Sequence, residues 1–264
     1  MTLDDRYAFL RRLSADAGAL ALGWFRRRGA LDVEEKGPTD YVSEADRAVE
    51  RVIADAIAHA FPGDAFLGEE TANTLDGVPE RLWVVDPIDG THNFLRGVPY
   101  WNVSIAFLER GERALGAICD PCAGAVYHAR RGTGAWRTDA AGETRLAASR
   151  RTRLPGGMVC VGHHDRAPDE RCMTLRRALR ERNVAFRNVG CAALQLAHVA
   201  EGRYDAYVEM ALSSWDAMAG LLLVEEAGGF AAPFPGSANL TERAKVVACG
   251  RGLSAELMGL VDAA

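Results

Sequence analysis

Five acidic residues in this 264-residue chain stand beside breaks in regular structure, where side chains can leave a core and converge: Glu69, Glu70, Asp86, Asp89 and Asp216. Two carboxylates held about 4 Å apart repel each other by roughly 4 kcal/mol at an effective dielectric constant near 20, so a cluster of them must take up protons or cations. Because oxygen ligands favour hard ions, we expect Mg²⁺, with Mn²⁺ as the alternative, rather than Zn²⁺.

The residues that follow Asp89 suit a phosphate group. In Gly90-Thr91-His92-Asn93-Phe94, glycine allows close approach of the backbone, and Thr91 can open a turn or helix whose amides point outward. Cations at the carboxylates, with amides beside them, would hold a phosphate ester and activate a water. The pattern predicts a hydrolase site.

Each of these residues also has an ordinary structural explanation. Asp-Pro and Asp-Gly pairs are common in turns, a Glu-Glu pair is usually solvated, and an aspartate near a helix start is often a cap. Residue types and spacing alone therefore do not join the acidic residues into one site.

The predicted elements of the first half place the acidic residues at their ends. Apolar spacing predicts an amphipathic helix over 4–27 and a second helix from Ser43, with Asp46 as its capping-box partner. Residues 34–40 between them contain Gly and Pro and predict an exposed loop. A buried strand over 81–85 is expected to stop at Asp86-Pro87. Three further strands predict an antiparallel sheet, over 102–108, 114–119 and 124–129.

A polar, Arg-rich stretch over 138–153 is the predicted boundary between an N-terminal α+β half, residues 1–145, and a C-terminal α/β half, residues 146–264. In the second half, strands and helices alternate. Strands are predicted over 158–161, 185–189, 204–210 and 245–248, and helices over 169–182, 192–200, 215–227 and the C-terminus.

Composition favours small-molecule chemistry. The chain is 48% hydrophobic and 25% charged, with a net charge of −5, which argues against nucleic-acid or anionic-membrane partners. Neither a signal peptide nor a run of about 20 apolar residues is visible, so a cytoplasmic location is expected. The six cysteines are expected to be reduced, and Cys119-Asp120-Pro121-Cys122 is interpreted as a hairpin turn rather than a redox or zinc motif.

Two long motifs resemble the signatures of the inositol monophosphatase family. The first is Trp83-Val84-Val85-Asp86-Pro87-Ile88-Asp89-Gly90-Thr91-His92-Asn93-Phe94, and the second is Trp215-Asp216-Ala217-Met218-Ala219-Gly220, running on to Glu226-Ala227-Gly228-Gly229. Shorter similarities extend over nearly the whole chain, at Lys36, 39–46, 66–71, 190–193 and 207–210.

The resemblance implies a layered αβαβα sandwich of the inositol monophosphatase and fructose-1,6-bisphosphatase type, combining α+β and α/β features. It also implies a homodimer and Mg²⁺-dependent catalysis with two or three ions. By position, Glu69, Asp86 and the Ile88 carbonyl would hold the first ion. Asp86, Asp89 and Asp216 would hold the second ion.

Further roles follow from the same resemblance. Glu69 and Thr91 would position and help deprotonate the attacking water, and the amides of Gly90 and Thr91 would bind phosphate. Asp89, Ala192 and Glu209 would contact the hydroxyl groups of the substrate. Lys36, Glu70 and Asp46 are additional candidates near the site. Cys191 stands where relatives usually have a hydroxyl residue, and Ser213-Ser214 also depart from the pattern, which leaves the substrate open.

The leading hypothesis is a phosphomonoesterase that converts inositol 1-phosphate to inositol and phosphate. Histidinol phosphate is the nearest rival substrate, followed by nucleotide 3′-phosphates and fructose 1,6-bisphosphate. A different class is a regulatory binding protein associated with the transcription machinery, with 145–153 and 171–182 as its basic surface, although such charge runs are usually solvated faces. His163-His164-Asp165 is interpreted as a polar loop rather than a metal or substrate site.

Overall fold

The computed structural model describes residues 2–30, 33–37, 40–71, 77, 79–162, 170–234 and 240–264, and within them it leaves the side chains of 30–42 undescribed. The elements before residue 146 are α1 (Leu3–Arg26), β1 (Val33–Gly37), β2 (Asp40–Ser43), α2 (Glu44–Ala60), β3 (Ala65–Gly68), β4 (Arg81–Asp89), α3 (Thr91–Arg96), β5 (Asn102–Glu109), β6 (Glu112–Asp120), β7 (Ala125–Arg130), β8 (Gly134–Asp139) and β9 (Gly142–Arg145). The later elements are β10 (Met158–Val161), α4 (Glu170–Glu181), β11 (Ala185–Arg187), α5 (Ala192–Ala200), β12 (Ala206–Leu212), α6 (Ser214–Glu226), β13 (Phe230–Ala231), β14 (Ala244–Cys249) and α7 (Ser254–Ala263).

Two sheets organise these elements. The larger sheet has the strand order β3-β4-β5-β6-β7-β8-β9, and only the β3–β4 pair is parallel. The smaller sheet has the order β11-β10-β12-β14-β13, with parallel pairs on both sides of β10. The predicted antiparallel sheet in the first half is thereby confirmed. The division of the chain at residue 145 stays a prediction.

Three hydrophobic cores show how the layers stack. The first lies between the larger sheet and the pair α1 and α2, and contains Leu10, Ile53 and Trp83. The second joins the other face of that sheet to the smaller sheet through α5 and α6. The third packs α4 and α7 on the outer face of the smaller sheet. The order is helix, sheet, helix, sheet, helix, so the layered αβαβα fold is confirmed.

Strand β4 is buried on both faces, which explains its continuous apolar sequence. Trp83 and Val85 face the core under α1 and α2, whereas Leu82 and Val84 face the core under α5 and α6. The alternation follows from the two-residue period of a strand. A strand of this kind holds its terminal side chains rigidly between two layers.

Two sequence predictions are wrong in detail. Strand β4 does not stop at Asp86-Pro87 but continues to Asp89, because a bulge between the pairs Asp86–Ser104 and Asp89–Asn102 accommodates the proline. The predicted loop over 34–40 contains most of β1 and the start of β2, which pair as an antiparallel hairpin. Strand β9 lies within the predicted boundary over 138–153, ends at Arg145 and extends the larger sheet, and the boundary itself stays a prediction.

The predicted cap of helix α2 and the predicted turn at 119–122 are confirmed. Helix α2 is capped as expected, since the Ser43 backbone N–H donates to the Asp46 carboxylate at 2.9 Å. All six cysteines are free thiols, and Cys119 to Cys122 lie at the turn between β6 and β7. Among the described residues, no helix is long and apolar enough to cross a membrane.

Candidate metal centre

Three aspartates converge at the junction of the larger sheet and helix α6. One carboxylate oxygen from each of Asp86, Asp89 and Asp216 lies within 4.8 Å of the other two. Asp86 and Asp89 are buried, and Asp216 is half-buried. Two long sequence motifs that are about 130 residues apart therefore meet at one point, as the resemblance implied.

The local backbone explains why these side chains meet. The bulge in β4 separates Asp86 from Asp89, and the Ile88 N–H donates to Asp86 Oδ1 at 2.9 Å, which fixes the first carboxylate. Helix α6 places Asp216 in its first turn. The Ser104 hydroxyl of β5 donates to the Trp215 carbonyl at 3.0 Å and ties the start of α6 to the sheet.

Glu69 adds a fourth carboxylate at the end of β3. Its backbone N–H donates to the Val85 carbonyl at 3.1 Å, which continues the parallel pairing and carries the side chain toward β4. Glu69 is not one of the three residues within 4.8 Å, but burial and the negative charge of Asp216 raise its pKa well above the usual value. Its charge therefore belongs to the same cluster.

The electrostatics of the cluster call for a cation. Burial and the neighbouring charges of Glu69 and Asp216 raise the pKa of Asp86 well above its usual range. Burial, followed by the charge of Asp89, raises the pKa of Asp216 to about 8. A divalent ion would replace the protons that these carboxyls otherwise retain. Because every donor is oxygen, the set fits Mg²⁺ or Mn²⁺.

Asp89 is held by four donors from the start of β5 and the N-terminus of α5. Its Oδ2 accepts from Asn102 Nδ2 at 2.7 Å and from the Ala193 N–H at 2.7 Å, and the Cys191 thiol lies 3.2 Å away. Its Oδ1 accepts from the Ala192 N–H at 3.2 Å. Burial raises the pKa of Asp89, and these donors oppose the rise. The carboxylate is thus fixed by the first turn of α5 and the start of β5.

Thr91 lies where its hydroxyl can orient a water. Thr91 Oγ1 is 3.0 Å from the Ile88 carbonyl and 3.3 Å from Asp46 Oδ1, and both of these atoms accept. Burial raises the pKa of Asp46 to about 6. With its proton directed to these acceptors, the hydroxyl oxygen keeps lone pairs for a hydrogen bond from a water.

Gly90 shapes the amide terminus next to the acidic cluster. Its φ is +88°, and a Cβ there would lie 3.1 Å from Cys191 Cβ and 3.2 Å from the Gly190 carbonyl. Only glycine fits both constraints. The first amides of α3 have no helical acceptor, so they can bind an anion beside Asp89.

Glu70 and Glu50 form a second acidic pair beside Glu69. The Glu70 N–H donates to Glu50 Oε2 at 2.8 Å, and the Glu50 carboxylate fills the space where Gly68 has no side chain. The charge of Glu70 helps raise the pKa of Glu69. Glu70 therefore lies close to the cluster, as predicted.

The predicted substrate contacts are brought to the same region. Glu209 is 9% exposed, its carboxylate accepts from the Tyr207 hydroxyl, and its charge helps raise the pKa of Asp216. The Ala192 amide is engaged with Asp89. Lys36 lies in β1, but its side chain is outside the described part, as are all of His163, His164 and Asp165.

Two residues near the centre were not predicted from the sequence. Asn102 is fully buried, donates to Asp89, and has an Oδ1 without a partner in the described part of the chain. Glu50 supports Glu70 from α2. An asparagine that opens an otherwise apolar strand was the available signal for Asn102. No sequence signal distinguishes Glu50 from Glu44, the exposed glutamate of α2.

Known proteins share both the sequence pattern and the fold. The profile of the inositol monophosphatase family matches residues 2–263. Nus factor SuhB of Pseudomonas aeruginosa is 39% identical over 244 residues, covering 90% of this chain and 88% of the relative. Inositol-1-monophosphatase of Mesorhizobium japonicum is 39% identical over 220 residues, covering 83% and 81%.

The crystal structure of extragenic suppressor protein suhB from Bartonella henselae superposes with a TM-score of 0.86 at 32% identity over 96% of each chain. An IMPase of Thermotoga maritima superposes with a TM-score of 0.84 at 31% identity, covering 98% of this chain and 97% of that one. With a profile match over almost its entire length and relatives near 39% identity, the chain belongs to the inositol monophosphatase family.

Proposed function

We propose that this protein is a Mg²⁺-dependent phosphomonoesterase that converts inositol 1-phosphate and water to inositol and phosphate. The observation that carries the proposal is the convergence of Asp86, Asp89 and Asp216 beside the amide terminus at Gly90. Carboxylates for a cation and amides for an anion in one place suit a phosphate ester. Family membership supports the same reaction class.

The protein's own groups have separable roles in this proposal. Asp86 interacts with both Glu69 and Asp216 and would be shared by two cations, with the Ile88 carbonyl as a further ligand. When bound, the cations supply positive charge that lowers the pKa of water and stabilises the departing alkoxide. Glu69 and Thr91 orient the water that attacks phosphorus, and the amides of Gly90 and Thr91 hold the phosphate oxygens.

Glu209 supports a polyol as the leaving group. A carboxylate can accept hydrogen bonds from two neighbouring hydroxyls, and the charge of Glu209 helps raise the pKa of Asp216, which places Glu209 beside the acidic cluster. One of its oxygens already accepts from Tyr207, which fixes the orientation of the carboxylate. Asp89 and Ala192 complete the proposed contacts to the substrate.

A phosphate-release screen tests the proposal. Inositol 1-phosphate, histidinol phosphate, nucleotide 3′-phosphates and fructose 1,6-bisphosphate are compared with Mg²⁺ and with EDTA. We expect Mg²⁺-dependent turnover of inositol 1-phosphate that Asp89→Asn abolishes and that Asp55→Asn, at an exposed position of α2, leaves intact. A strong preference for histidinol phosphate would contradict inositol 1-phosphate as the substrate. Activity that survives in Asp89→Asn would contradict the proposed metal centre.

A second candidate function rests on the names of relatives. The 39% identical relative from Pseudomonas aeruginosa is called a Nus factor, which indicates a role with the transcription machinery for that protein. Co-purification of the tagged protein with RNA polymerase, compared for the wild type and Asp89→Asn, tests this role separately from hydrolysis. Light scattering on the same samples tests the predicted homodimer.

A further inference from the structure

The segment that connects the two sheets borders a crevice of about 750 Å³. The crevice is lined by Ser149, Arg150, Arg151, Thr152, Arg153, Pro155 and Asp205. Three arginines among four successive residues are thus presented to one concave surface. A volume of this size lies within the range of about 300–1,000 Å³ that small-molecule sites occupy.

The backbone of this segment is held at both ends. The Ala148 N–H donates to the Ala227 carbonyl at 3.0 Å, and the Leu154 N–H donates to Glu256 Oε2 at 2.9 Å. Leu154 is fully buried. The arginines therefore extend from a segment that is anchored at both ends.

Two glycines of the neighbouring turn allow this close packing. A Cβ at Gly252 would lie 2.8 Å from the Arg151 carbonyl, and one at Gly250 would overlap the Ser149 carbonyl. The chain after β14 is thus shaped to press against the arginine segment. This packing makes the crevice a preformed feature of the fold, so a ligand would not have to order it.

The positive charge of the crevice is only partly neutralised. Arg151 Nε lies 3.4 Å from Asp205 Oδ2, and Asp205 also accepts from the Ser149 hydroxyl and the Met158 N–H. Arg150 and Arg153 are exposed, and neither has an ion pair or hydrogen bond to any part of the chain that the structure describes. In a chain of net charge −5, a pair of unneutralised guanidinium groups in one crevice is a local excess of positive charge.

The crevice is separate from the metal centre. Asp205 precedes β12, and Glu209 lies four residues further along that strand, which places their Cα atoms about 13 Å apart at about 3.3 Å per residue. The crevice and the acidic cluster therefore lie toward different ends of β12. A ligand in the crevice would therefore not contact Asp86, Asp89 or Asp216 of the metal centre.

We propose that the crevice binds a small compound that carries two or more linked phosphate groups. Guanidinium groups bind phosphate oxygens through paired N–H donors, and two free arginines beside a third match several adjacent phosphate oxygens. The Thr152 hydroxyl adds a neutral donor. None of the described residues that line the crevice is aromatic, so the phosphate groups, rather than a stacked base, are the recognised feature.

Calorimetric titration with inorganic tripolyphosphate tests the proposal. The full chain is titrated in EDTA, where the acidic metal centre repels anions, at near-physiological salt. We expect saturable binding that Arg150→Ala/Arg153→Ala weakens by at least about 10-fold. The matched control is Arg177→Ala/Arg180→Ala on α4, which removes the same charge from exposed arginines and should change affinity by no more than about 2-fold.

Three outcomes would overturn the proposal. If the wild-type protein binds no tripolyphosphate, the crevice is not a phosphate site. If both double variants lose affinity equally, the binding depends on overall charge and not on the crevice. If a single-stranded RNA oligonucleotide binds through Arg150 and Arg153 while tripolyphosphate does not, the surface recognises a polymer instead. Because neither Arg150 nor Arg153 has a partner among the described residues, Arg150→Ala/Arg153→Ala should keep the wild-type melting temperature. The melting temperatures of this variant and of the control variant are measured first.

Discussion

Replacing Asp216 by asparagine should stabilise the metal-free protein while destroying its response to Mg²⁺. Burial and the charge of Asp89 raise the pKa of Asp216 from 3.8 to about 8. Between these values the folded protein binds a proton that the unfolded chain releases, so stability falls as the pH rises through this window. Asparagine has a similar shape but needs no proton, and therefore removes this cost.

The size of the effect follows from the geometry. Carboxylates no more than 4.8 Å apart repel by at least about 3.5 kcal/mol per pair at an effective dielectric constant of 20. Keeping Asp216 protonated near pH 7 costs about 4 kcal/mol, at about 1.4 kcal/mol for each pH unit above 3.8. Because Asp216 is only half-buried, solvent screening reduces this to about 2 kcal/mol. For a chain of this length the gain corresponds to about 4–8 °C in melting temperature.

Thermal unfolding in EDTA across the range from about pH 5 to 9 measures this effect. The wild type should lose stability as the pH rises, whereas Asp216→Asn should show a flatter profile and the higher melting temperature near neutral pH. Asp55→Asn is the control, because Asp55 is exposed on α2 and shares no contact with the cluster. With Mg²⁺ at about 100 times its dissociation constant, the wild type should gain about 2.7 kcal/mol, and most of that gain should disappear in Asp216→Asn.

Two results would contradict this prediction: Asp216→Asn melts at or below the wild-type temperature in EDTA near pH 8, or its pH profile keeps the wild-type slope. Either result would mean that the carboxyl is not held protonated by its neighbours. A full Mg²⁺ response in the variant would remove Asp216 from the ligand set.

Two further predictions concern the groups around Asp89 and the substrate. Asn102→Ala removes the 2.7 Å hydrogen bond to Asp89 Oδ2 and should raise the Mg²⁺ concentration for half-maximal activity about 10- to 100-fold. Cys191→Ser keeps a donor to Asp89 and should change this concentration only slightly. A Mg²⁺ titration of phosphate release measures both effects. Equal behaviour of the two variants would contradict the role of Asn102. Glu209→Gln should raise the KM for inositol 1-phosphate about 5- to 30-fold with little change in kcat, and a fall in kcat alone would exclude Glu209 from substrate binding.

The elements that carry the site are predicted accurately from the sequence, because most of them have one clear hydrophobic period or a clear capping signal at an end. Helix α5 (Ala192–Ala200) and strand β10 (Met158–Val161) have the predicted bounds, and α2 begins after Ser43 with Asp46 as its capping partner. Each of these signals is local. A capping box or an apolar run lies within a few residues and needs no tertiary contact to be recognised.

The features that the sequence did not predict depend on pairing between distant segments. A proline after Asp86 is a local reason to end a strand, but pairing with β5 carries β4 past it through a bulge. Asn102 became a partner of Asp89 only because the antiparallel register places these residues opposite each other. Local propensity could not reveal either contact, since both arise from tertiary structure.

The centre joins two layers of the fold, and this links cation binding to the packing of those layers. Asp86 and Asp89 belong to the larger sheet, whereas Asp216 belongs to α6, which packs against both sheets. Without a cation, charge repulsion between these carboxylates disfavours the contact between the helix and the sheet, and the bond from Ser104 to the Trp215 carbonyl helps to maintain that contact. A bound cation reverses the sign of this interaction. The ion would therefore stabilise the contact between the middle helices and the larger sheet, and it would also help to bind the substrate. Both effects would depend on the same carboxylates.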